Sequence, residues 1–210
     1  MTRILIAGAT GLVGRHVLSQ ALADRRVDGI VAPTRRALPA HPKLLNPVSD
    51  MTALPADADW WAVDGVVCSL GTTRAAAGSA EAFRAIDLDL QRDVARLARE
   101  HGAERFALTS STGANARSRF LYLRTKGDLE AAVRHLGWSS LTILRPGAIL
   151  GDRDEVRTAE RVTAAALRIL GPFLPRAYRG NPAHDIAASL LDAALNGLPG
   201  THIVEAGEIR

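Results

Sequence analysis

Apolar positions divide the chain into two alternating patterns. Short, mostly apolar runs predict buried strands, at 4–7, 29–32, 63–70, 105–109 and 141–144. The run at 44–48 contains Pro47 and predicts a strand that is short or lies at a sheet edge. Apolar residues that recur every three or four positions predict helices, at 11–23, 80–101 and 120–136. Strands that alternate with helices indicate an α/β fold with a doubly wound parallel sheet.

The pattern changes after Gly151. Helices are predicted at 154–170 and 183–196, followed by a last strand at 202–205. Four arginines recur near one face of the first of these helices, at Arg153, Arg157, Arg161 and Arg168. We expect residues 1–210 to form a single domain. Within it, residues 151–210 are expected to form a small C-terminal extension that supplies the substrate side of a pocket.

A glycine-rich turn joins the first strand to the first helix. Its spacing is G-x-x-G-x-x-G, which differs from the G-x-G-x-x-G of the standard dinucleotide-binding turn. Small residues let the backbone approach an anion, and a helix N-terminus supplies unpaired N–H groups and a partial positive charge. Gly14 would let the helix pack close to the strand. We predict a phosphate-binding turn formed by Gly8, Thr10, Gly11, Leu12 and Val13. The alternative is a tight turn without a ligand.

Two arginines follow the second predicted strand and bear on the choice of cofactor. NAD-binding units usually place Asp or Glu here to hold the ribose 2′-hydroxyl, but this chain has Arg35 and Arg36. Guanidinium groups suit a 2′-phosphate through forked, charge-assisted hydrogen bonds. The sequence therefore favours NADP(H) over NAD(H). The alternative is that both arginines are solvated loop residues.

Other strand ends extend the predicted cofactor site. Asp50 and Met51 follow the third strand, where an aspartate could accept from the adenine amino group or could simply belong to a turn. A loop of small and polar residues ends the fourth strand. A cofactor should cross the sheet at this edge, so we predict contacts with Leu70, Gly71 and Thr72.

Tyr122 and Lys126 are the candidates for acid–base chemistry. They are four residues apart on a predicted helix and therefore share one face. A phenol normally has a pKa near 10, and a nearby ammonium favours the phenolate and lowers that pKa. Ser110 and Ser111 end the preceding strand, and a serine hydroxyl there could hold a carbonyl or alcohol beside the tyrosine. Such a set suits hydride transfer, in which tyrosine moves the proton.

Composition narrows the class of protein. The 210 residues are 47% hydrophobic with a net charge of +4, and only two of the 26 basic residues, Lys43 and Lys126, are lysines. The single cysteine, Cys68, excludes an internal disulfide framework and, with no leader pattern at the N-terminus, predicts a cytoplasmic location. No apolar run is long enough for a membrane span. The histidine spacing predicts no metal site, and interleaved charges argue against a nucleic-acid partner.

Taken together, these residues resemble the short-chain dehydrogenase/reductase superfamily. The matching pieces are GATGLVG at 8–14, TRR at 34–36, YLRTK at 122–126 and RPG at 145–147. CSLGTTR at 68–74 and SSTGANARSRFLYLRTKGDLE at 110–130 resemble the atypical branch that includes the Tat-interacting-protein oxidoreductases. The resemblance implies a Rossmann fold, NADP(H), and a catalytic set of Ser111, Tyr122 and Lys126, with Ser110 as the alternative to Ser111. It also implies cofactor contacts from Lys126 and Pro146.

The leading hypothesis is an NADP(H)-dependent oxidoreductase that acts on a carbonyl or alcohol. The alternative is a regulator that senses NADP(H) and binds a protein partner without turning anything over. The complete Ser-Tyr-Lys set favours the enzyme, while the absence of a G-x-S-x-G motif argues against a hydrolase. The identity of the small-molecule substrate cannot be read from the residues.

Overall fold

The computed structural model describes residues 1–151 and 180–210. Its strands are β1 (Arg3–Ala7), β2 (Gly29–Val31), β3 (Leu44–Leu45), β4 (Gly65–Cys68), β5 (Arg105–Thr109), β6 (Ser140–Arg145), β7 (Ile149–Leu150), β8 (Asn181–Pro182) and β9 (Gly200–Glu205). Its α-helices are α1 (Leu12–Ala23), α2 (Arg74–Ala77), α3 (Ala80–Arg84), α4 (Gln91–Glu100), α5 (Leu121–Arg134) and α6 (Ala183–Asn196).

A parallel sheet organises these elements, with strand order β3-β2-β1-β4-β5-β6-β9. Strand β1 pairs with β2 on one side and with β4 on the other, so the winding direction reverses between β1 and β4. This order confirms the predicted doubly wound α/β fold. In such sheets a ligand binds outside the carboxyl ends of the strands at the reversal point, which here lies after Ala7 and Cys68.

Apolar clusters cover both faces of the sheet. On one face, buried residues of α1 and α6, among them Val17 and Leu190, pack against Ile4, Ile6 and other strand residues. On the other face, residues of α4 and α5 pack against strand residues that include Leu5 and Phe106. Gly65 of β4 has no room for a side chain because α6 crosses it at the carbonyl of Ala194. Helix α6 is therefore part of the main body.

The predicted helix at 80–101 contains an interruption. Helices α3 and α4 are joined without a break by a π-helical segment, Ala85–Leu90. Each backbone hydrogen bond of a π-helix spans five residues, one more than in an α-helix, and such segments are frequent at functional sites. This segment borders the cleft described below.

The remaining sequence predictions differ from the structure mainly at their ends. The strand at 105–109 and the helix at 183–196 are confirmed at the predicted bounds. Of the run at 63–70, only Gly65–Cys68 forms a strand. The run at 44–48 shortens to Leu44–Leu45, with one further bridge between Thr34 and Val48 across Pro47. The last strand begins at Gly200 and pairs in parallel with β6.

The predicted C-terminal extension is only partly described. The helix predicted at 154–170, with its four arginines, lies outside the described residues. Helix α6 and strand β9 belong to the main layers, since α6 packs on α1 and β9 extends the sheet. A role for 151–210 on the substrate side of the pocket stays a prediction.

Candidate active site

The turn between β1 and α1 is held by close backbone contacts. Gly8 has a φ of +93°, and a Cβ there would lie 2.8–2.9 Å from the backbone of Ser69 and Leu70 at the end of β4. The amide of Gly11 donates to the carbonyl of Gly8 at 2.9 Å and closes the turn. A Cβ on Gly14 would lie 2.6 Å from the carbonyl carbon of Gly8 and closer still to its oxygen. Gly8 therefore packs directly against the end of β4, and α1 packs directly against Gly8.

Gly11 also marks the N-terminus of α1. It occupies the N-cap position with extended backbone and makes no side-chain capping bond. The first N–H groups of a helix have no partner within the helix, and they carry the positive end of the helix dipole. Phosphate groups bind readily at such an end.

An open cleft of about 530 Å³ runs from this turn across the carboxyl ends of β4 and β5. Its walls come mainly from the turn before α1, the loop after β4, the end of β5 and helix α5. They include Thr10, Gly11, Leu12, Val13, Arg15, Ser69, Leu70, Gly71, Thr72, Thr73, Asp87, Thr109, Ser110, Tyr122, Lys126 and Ile149. Of the predicted cofactor residues, the structure thus brings together the turn, the loop after β4 and Lys126.

Tyr122 and Lys126 line the same cleft, as their spacing on α5 predicts. Tyr122 is 44% exposed and its ring lies 6.2 Å from that of Phe83 on α3. Lys126 is 4% exposed. Gly127, the next residue, lies against the backbone of Asn115 and Ala116 with no space for a Cβ, so this close packing fixes α5 beside the cleft.

Asp87 holds Lys126 from the π-helical segment. Lys126 Nζ lies 3.0 Å from Asp87 Oδ1, an ion-pair contact whose angles are not those of a hydrogen bond. The other oxygen, Oδ2, accepts from the backbone N–H of Thr72 at 2.7 Å. Asp87 is 1% exposed. One carboxylate therefore connects the lysine of α5 to the loop that follows β4.

Ser110 is the serine that reaches the cleft wall, and its hydroxyl is already engaged. It donates to Glu130 Oε1 at 2.6 Å. Arg145 holds both oxygens of the same carboxylate, with Nε at 3.0 Å and an Nη at 2.7 Å. These hydrogen bonds with Glu130 raise the pKa of Arg145. A carboxylate paired with arginine accepts hydrogen bonds and does not donate them, so the free capacity of Ser110 Oγ is that of an acceptor.

Several predicted residues lie away from the lining of this cleft. Ser111, the serine preferred from the sequence, donates to the carbonyl of Thr112 at 3.3 Å. Pro146 is buried, and its carbonyl accepts from the Thr112 amide at 2.9 Å. Arg35 and Arg36 are exposed after β2. The roles predicted for these residues stay predictions.

Asp50 and Met51 lie in the loop that follows β3 and the bridge between Thr34 and Val48. Asp50 Oδ1 accepts from the backbone N–H of Thr52 at 2.9 Å, and backbone hydrogen bonding by Thr52 lowers the pKa of Asp50. Met51 has a φ of +66°, in the left-handed region that non-glycine residues seldom adopt. Their predicted contact with adenine stays a prediction.

Sequence reasoning missed Asp87 and Arg15 in the cleft. Arg15 follows the last glycine of the turn on α1. Asp87 lies four residues after Phe83 and seven before Val94, both fully buried members of the apolar stripe. An acid inside an apolar stripe is a signal for a buried, partnered carboxylate, and it was available in the sequence. The identity of its partner was not.

Cys68 ends β4 and is fully buried beside Gln91. Burial raises the pKa of its thiol to about 12. A nucleophilic cysteine needs an exposed, electropositive setting that favours the thiolate. Cys68 is therefore a packing residue, as its place in an apolar run predicts.

Comparison with known proteins identifies the family. Residues 8–194 match the family described as NAD(P)H-binding. The chain belongs to this NAD(P)H-binding family. Among curated proteins it is 37% identical over 187 residues to the mitochondrial protein fmp52 of Emericella nidulans, covering 81% of this chain and 77% of that protein. It is 36% identical to mitochondrial FMP52 of Candida albicans, covering 93% and 89%.

Solved structures show the same fold as this NAD(P)H-binding chain. MoeE5 in complex with UDP-glucuronic acid and NAD superposes with a TM-score of 0.74 at 17% identity, covering 96% of this chain and 75% of that one. A putative NAD-dependent epimerase/dehydratase from Bacillus halodurans superposes with a TM-score of 0.69 at 18% identity, covering 100% and 98%. The predicted Rossmann-type α/β fold is therefore confirmed, together with membership of an NAD(P)H-binding family.

The predicted cytoplasmic location is wrong by the same comparison, because the similar curated proteins are named as mitochondrial. One buried cysteine excludes a disulfide framework, but it does not distinguish one reducing compartment from another. In the described parts of the chain, no helix is long and apolar enough to cross a bilayer. Within residues 1–151 and 180–210, no three His, Cys, Asp or Glu side chains are grouped to hold a metal ion.

Proposed function

We propose that the protein is an NADP(H)-dependent oxidoreductase that transfers hydride to or from a carbonyl or alcohol substrate. The observation that carries the proposal is the shared cleft. Tyr122 and Lys126 line the same 530 Å³ space as the glycine turn and the loop after β4. An acid–base pair next to a dinucleotide turn is the arrangement that hydride transfer between carbon atoms needs, because a proton must move with each hydride.

The glycine turn fits a dinucleotide. Phosphates would lie at the N-terminus of α1, where Gly11 leaves the first N–H groups uncapped by a side chain. Leu70, Gly71 and Thr72 would flank the cofactor as it crosses the sheet edge. When bound, the nicotinamide supplies or accepts the hydride.

Tyr122 is the residue that we assign to proton transfer. Its phenol is exposed at the cleft, so a substrate oxygen can reach it. Lys126, buried one turn further along α5, is assigned to a cofactor hydroxyl, and its pairing with Asp87 offsets the positive charge that it places near the phenol. Ser110 is the cleft-side serine in this proposal. Since its proton is engaged by Glu130, it would accept a hydrogen bond from a hydroxyl of the substrate or of Tyr122.

Preference for NADP(H) is part of the proposal and rests on Arg35 and Arg36. Both are exposed at the carboxyl end of β2, the end at which the fold binds ligands. Thr34 Oγ1 donates to the carbonyl of Arg36 at 2.6 Å, which fixes the backbone there. Two exposed guanidinium groups suit the 2′-phosphate of NADP(H).

Substitution of Tyr122 by Phe tests the assignment. The variant keeps the ring and its contact with Phe83 but removes the proton that can move. NADPH oxidation is first measured with the wild type over a panel of aldehydes, ketones and quinones. Turnover of any substrate found should fall by roughly 10²–10⁴-fold in the variant, the usual worth of a positioned acid–base group. NADPH binding, measured by fluorescence titration, should stay close to wild type.

Two outcomes would contradict the proposal. Turnover by Tyr122→Phe at the wild-type rate would refute the assignment of the phenol. NADPH binding without turnover of any member of the panel by the wild type would favour the sensor hypothesis. In that case Tyr122→Phe should leave binding of both NADP(H) and a protein partner intact.

A further inference from the structure

A buried ion pair lies in the wall of the cleft. Lys126 is 4% exposed and Asp87 is 1% exposed, and their Nζ and Oδ1 atoms are 3.0 Å apart. An unpaired buried charge is costly, so each of the two charges stabilises the other here. The two side chains come from elements 39 positions apart in sequence, and the pairing depends on the tertiary fold.

The π-helical segment places the acid at the cleft. Residues Ala85–Leu90 interrupt a run that is α-helical on both sides. Asp87 lies within that segment, and its second oxygen binds the Thr72 amide at 2.7 Å. Through Asp87 the π-helical segment therefore contacts both Lys126 of α5 and the backbone of the loop after β4.

The pair contributes no net charge to this part of the cleft. Among the described lining residues, the charged side chains are Arg15, Asp87 and Lys126. Arg15 belongs to α1, next to the glycine turn. Cys68 borders the pair, but burial raises the pKa of its thiol to about 12 and keeps it neutral. Asp87 is thus the one acid in the described lining, and it offsets the charge of Lys126.

Oxidised and reduced nicotinamide differ by one unit of charge at the ring. The oxidised ring is a cation and the reduced ring is neutral, while the rest of the cofactor is the same. A net positive charge in the cleft wall would therefore weaken binding of the oxidised form selectively. A neutral pair would not discriminate in this way.

We propose that Asp87 is a positioning residue that neutralises Lys126 and thereby sets the relative affinity of the cleft for oxidised and reduced cofactor. This inference rests on the proposed binding of NADP(H) beside Lys126. Contacts of Lys126 with a ribose hydroxyl would affect both redox forms alike. The ratio of the two dissociation constants isolates the charge of the pair.

The test measures Kd for NADP⁺ and for NADPH with four proteins: wild type, Asp87→Asn, Lys126→Gln and the double variant. Asp87→Asn leaves one uncompensated positive charge and should raise the ratio Kd(NADP⁺)/Kd(NADPH) by about tenfold, as expected for unit charges about 12 Å apart at an effective dielectric constant of about 20. This change corresponds to about 30 mV in the midpoint potential of the bound couple. Lys126→Gln should lower the ratio, and the double variant should restore it to within about threefold of wild type.

Asp89→Asn is the matched control. Asp89 belongs to the same π-helical segment, but its side chain is 48% exposed and pairs with Arg92 at the surface. Its ratio should equal that of the wild type. Circular dichroism establishes that each variant folds, and if Asp87→Asn does not, the Lys126→Gln and double variants still decide the sign.

The outcomes separate this inference from the proposed function. Unchanged ratios in folded variants that still bind cofactor would overturn the role of Asp87 and leave the oxidoreductase proposal intact. A double variant that stays far from the wild-type ratio would also overturn it, because a loss of local structure rather than of charge would then be responsible. Failure of the wild type to bind either form would refute the proposed function itself.

Discussion

Gly14 gives the sharpest test of how the nucleotide turn is built. An alanine there would place its Cβ 2.6 Å from the carbonyl carbon of Gly8 and 2.9 Å from Ser69 Oγ. Helix propensity alone predicts the opposite effect, since replacing glycine by alanine inside a helix usually adds about 0.5–1 kcal/mol of stability. The sign of the measured change therefore distinguishes the close contact from propensity.

The expected loss follows from what the new methyl group meets. Overpacking usually costs about 1–3 kcal/mol, and the obstacle here is backbone, which cannot rotate away as a side chain does. We expect Gly14→Ala to lower the free energy of unfolding by about 3 kcal/mol, the upper end of that range. For a chain of this length, each kcal/mol corresponds to about 2–4 °C in the melting temperature. The expected fall is therefore about 6–12 °C.

Gly11→Ala is the matched control within the same turn. A Cβ at Gly11 meets one atom, the Gly8 oxygen at 3.3 Å, and the φ of −77° suits alanine. The loss should be about 1 kcal/mol or less, the size of a helix N-cap change. Its methyl would project where we propose the pyrophosphate binds, so NADPH binding should weaken while stability remains. Both variants are measured by thermal denaturation and by fluorescence titration with NADPH.

Two results would refute this reasoning. A Gly14→Ala variant that melts at or above the wild-type temperature would show that α1 can move away from the turn at little cost. Equal destabilisation by both substitutions would show that the turn is uniformly tight, against the difference between the contacts of Gly11 and Gly14.

Two further predictions concern Arg35 and Cys68. Arg35→Ala should weaken NADPH binding about ten- to a hundredfold through loss of a charge-assisted contact and should barely change NADH binding. Parallel titrations with the two cofactors measure this, with Arg96→Ala on the outer face of α4 as the control. Equal loss of affinity for both cofactors would contradict the prediction. Cys68 should resist iodoacetamide at pH 9 in the native protein and react after unfolding in urea, because the thiol is buried and its pKa is raised to about 12; rapid labelling of the native form would contradict the packing role.

The sequence predicts those elements whose signals are local. The strand at 105–109 lies between Gly102 and the polar residues from Ser110, and the helix at 183–196 lies between Pro182 and Gly197. These flanking residues limit each apolar pattern at both ends, so the predicted bounds match the structure. The run at 63–70 contains Asp64 and Ser69 near its ends, and its outer residues form loop rather than ladder.

Pairings between distant residues could not be predicted. Tyr122 and Lys126 are neighbours on one helix, so their shared face follows from spacing alone. The contact of Lys126 with Asp87 depends on a π-helical segment that periodicity does not reveal, because an acid within an apolar stripe indicates burial without naming the partner. Likewise the hydrogen bond of Ser110 with Glu130, twenty residues away, could not be predicted from the position of Ser110 at the end of a strand.

The three glycines of the turn meet three different physical requirements, and this explains their unusual spacing. Gly8 needs a positive φ and a close approach to β4, Gly11 needs a closed turn with an open outer side, and Gly14 needs contact between α1 and the Gly8 carbonyl. A Cβ at Gly8 or Gly14 would meet backbone atoms at 2.9 Å or less, whereas a Cβ at Gly11 would meet only the Gly8 oxygen at 3.3 Å. The outer side of the turn at Gly11 is therefore open to a ligand. The position of Gly11 at an uncapped helix N-terminus therefore argues for a bound phosphate more strongly than the glycine count does.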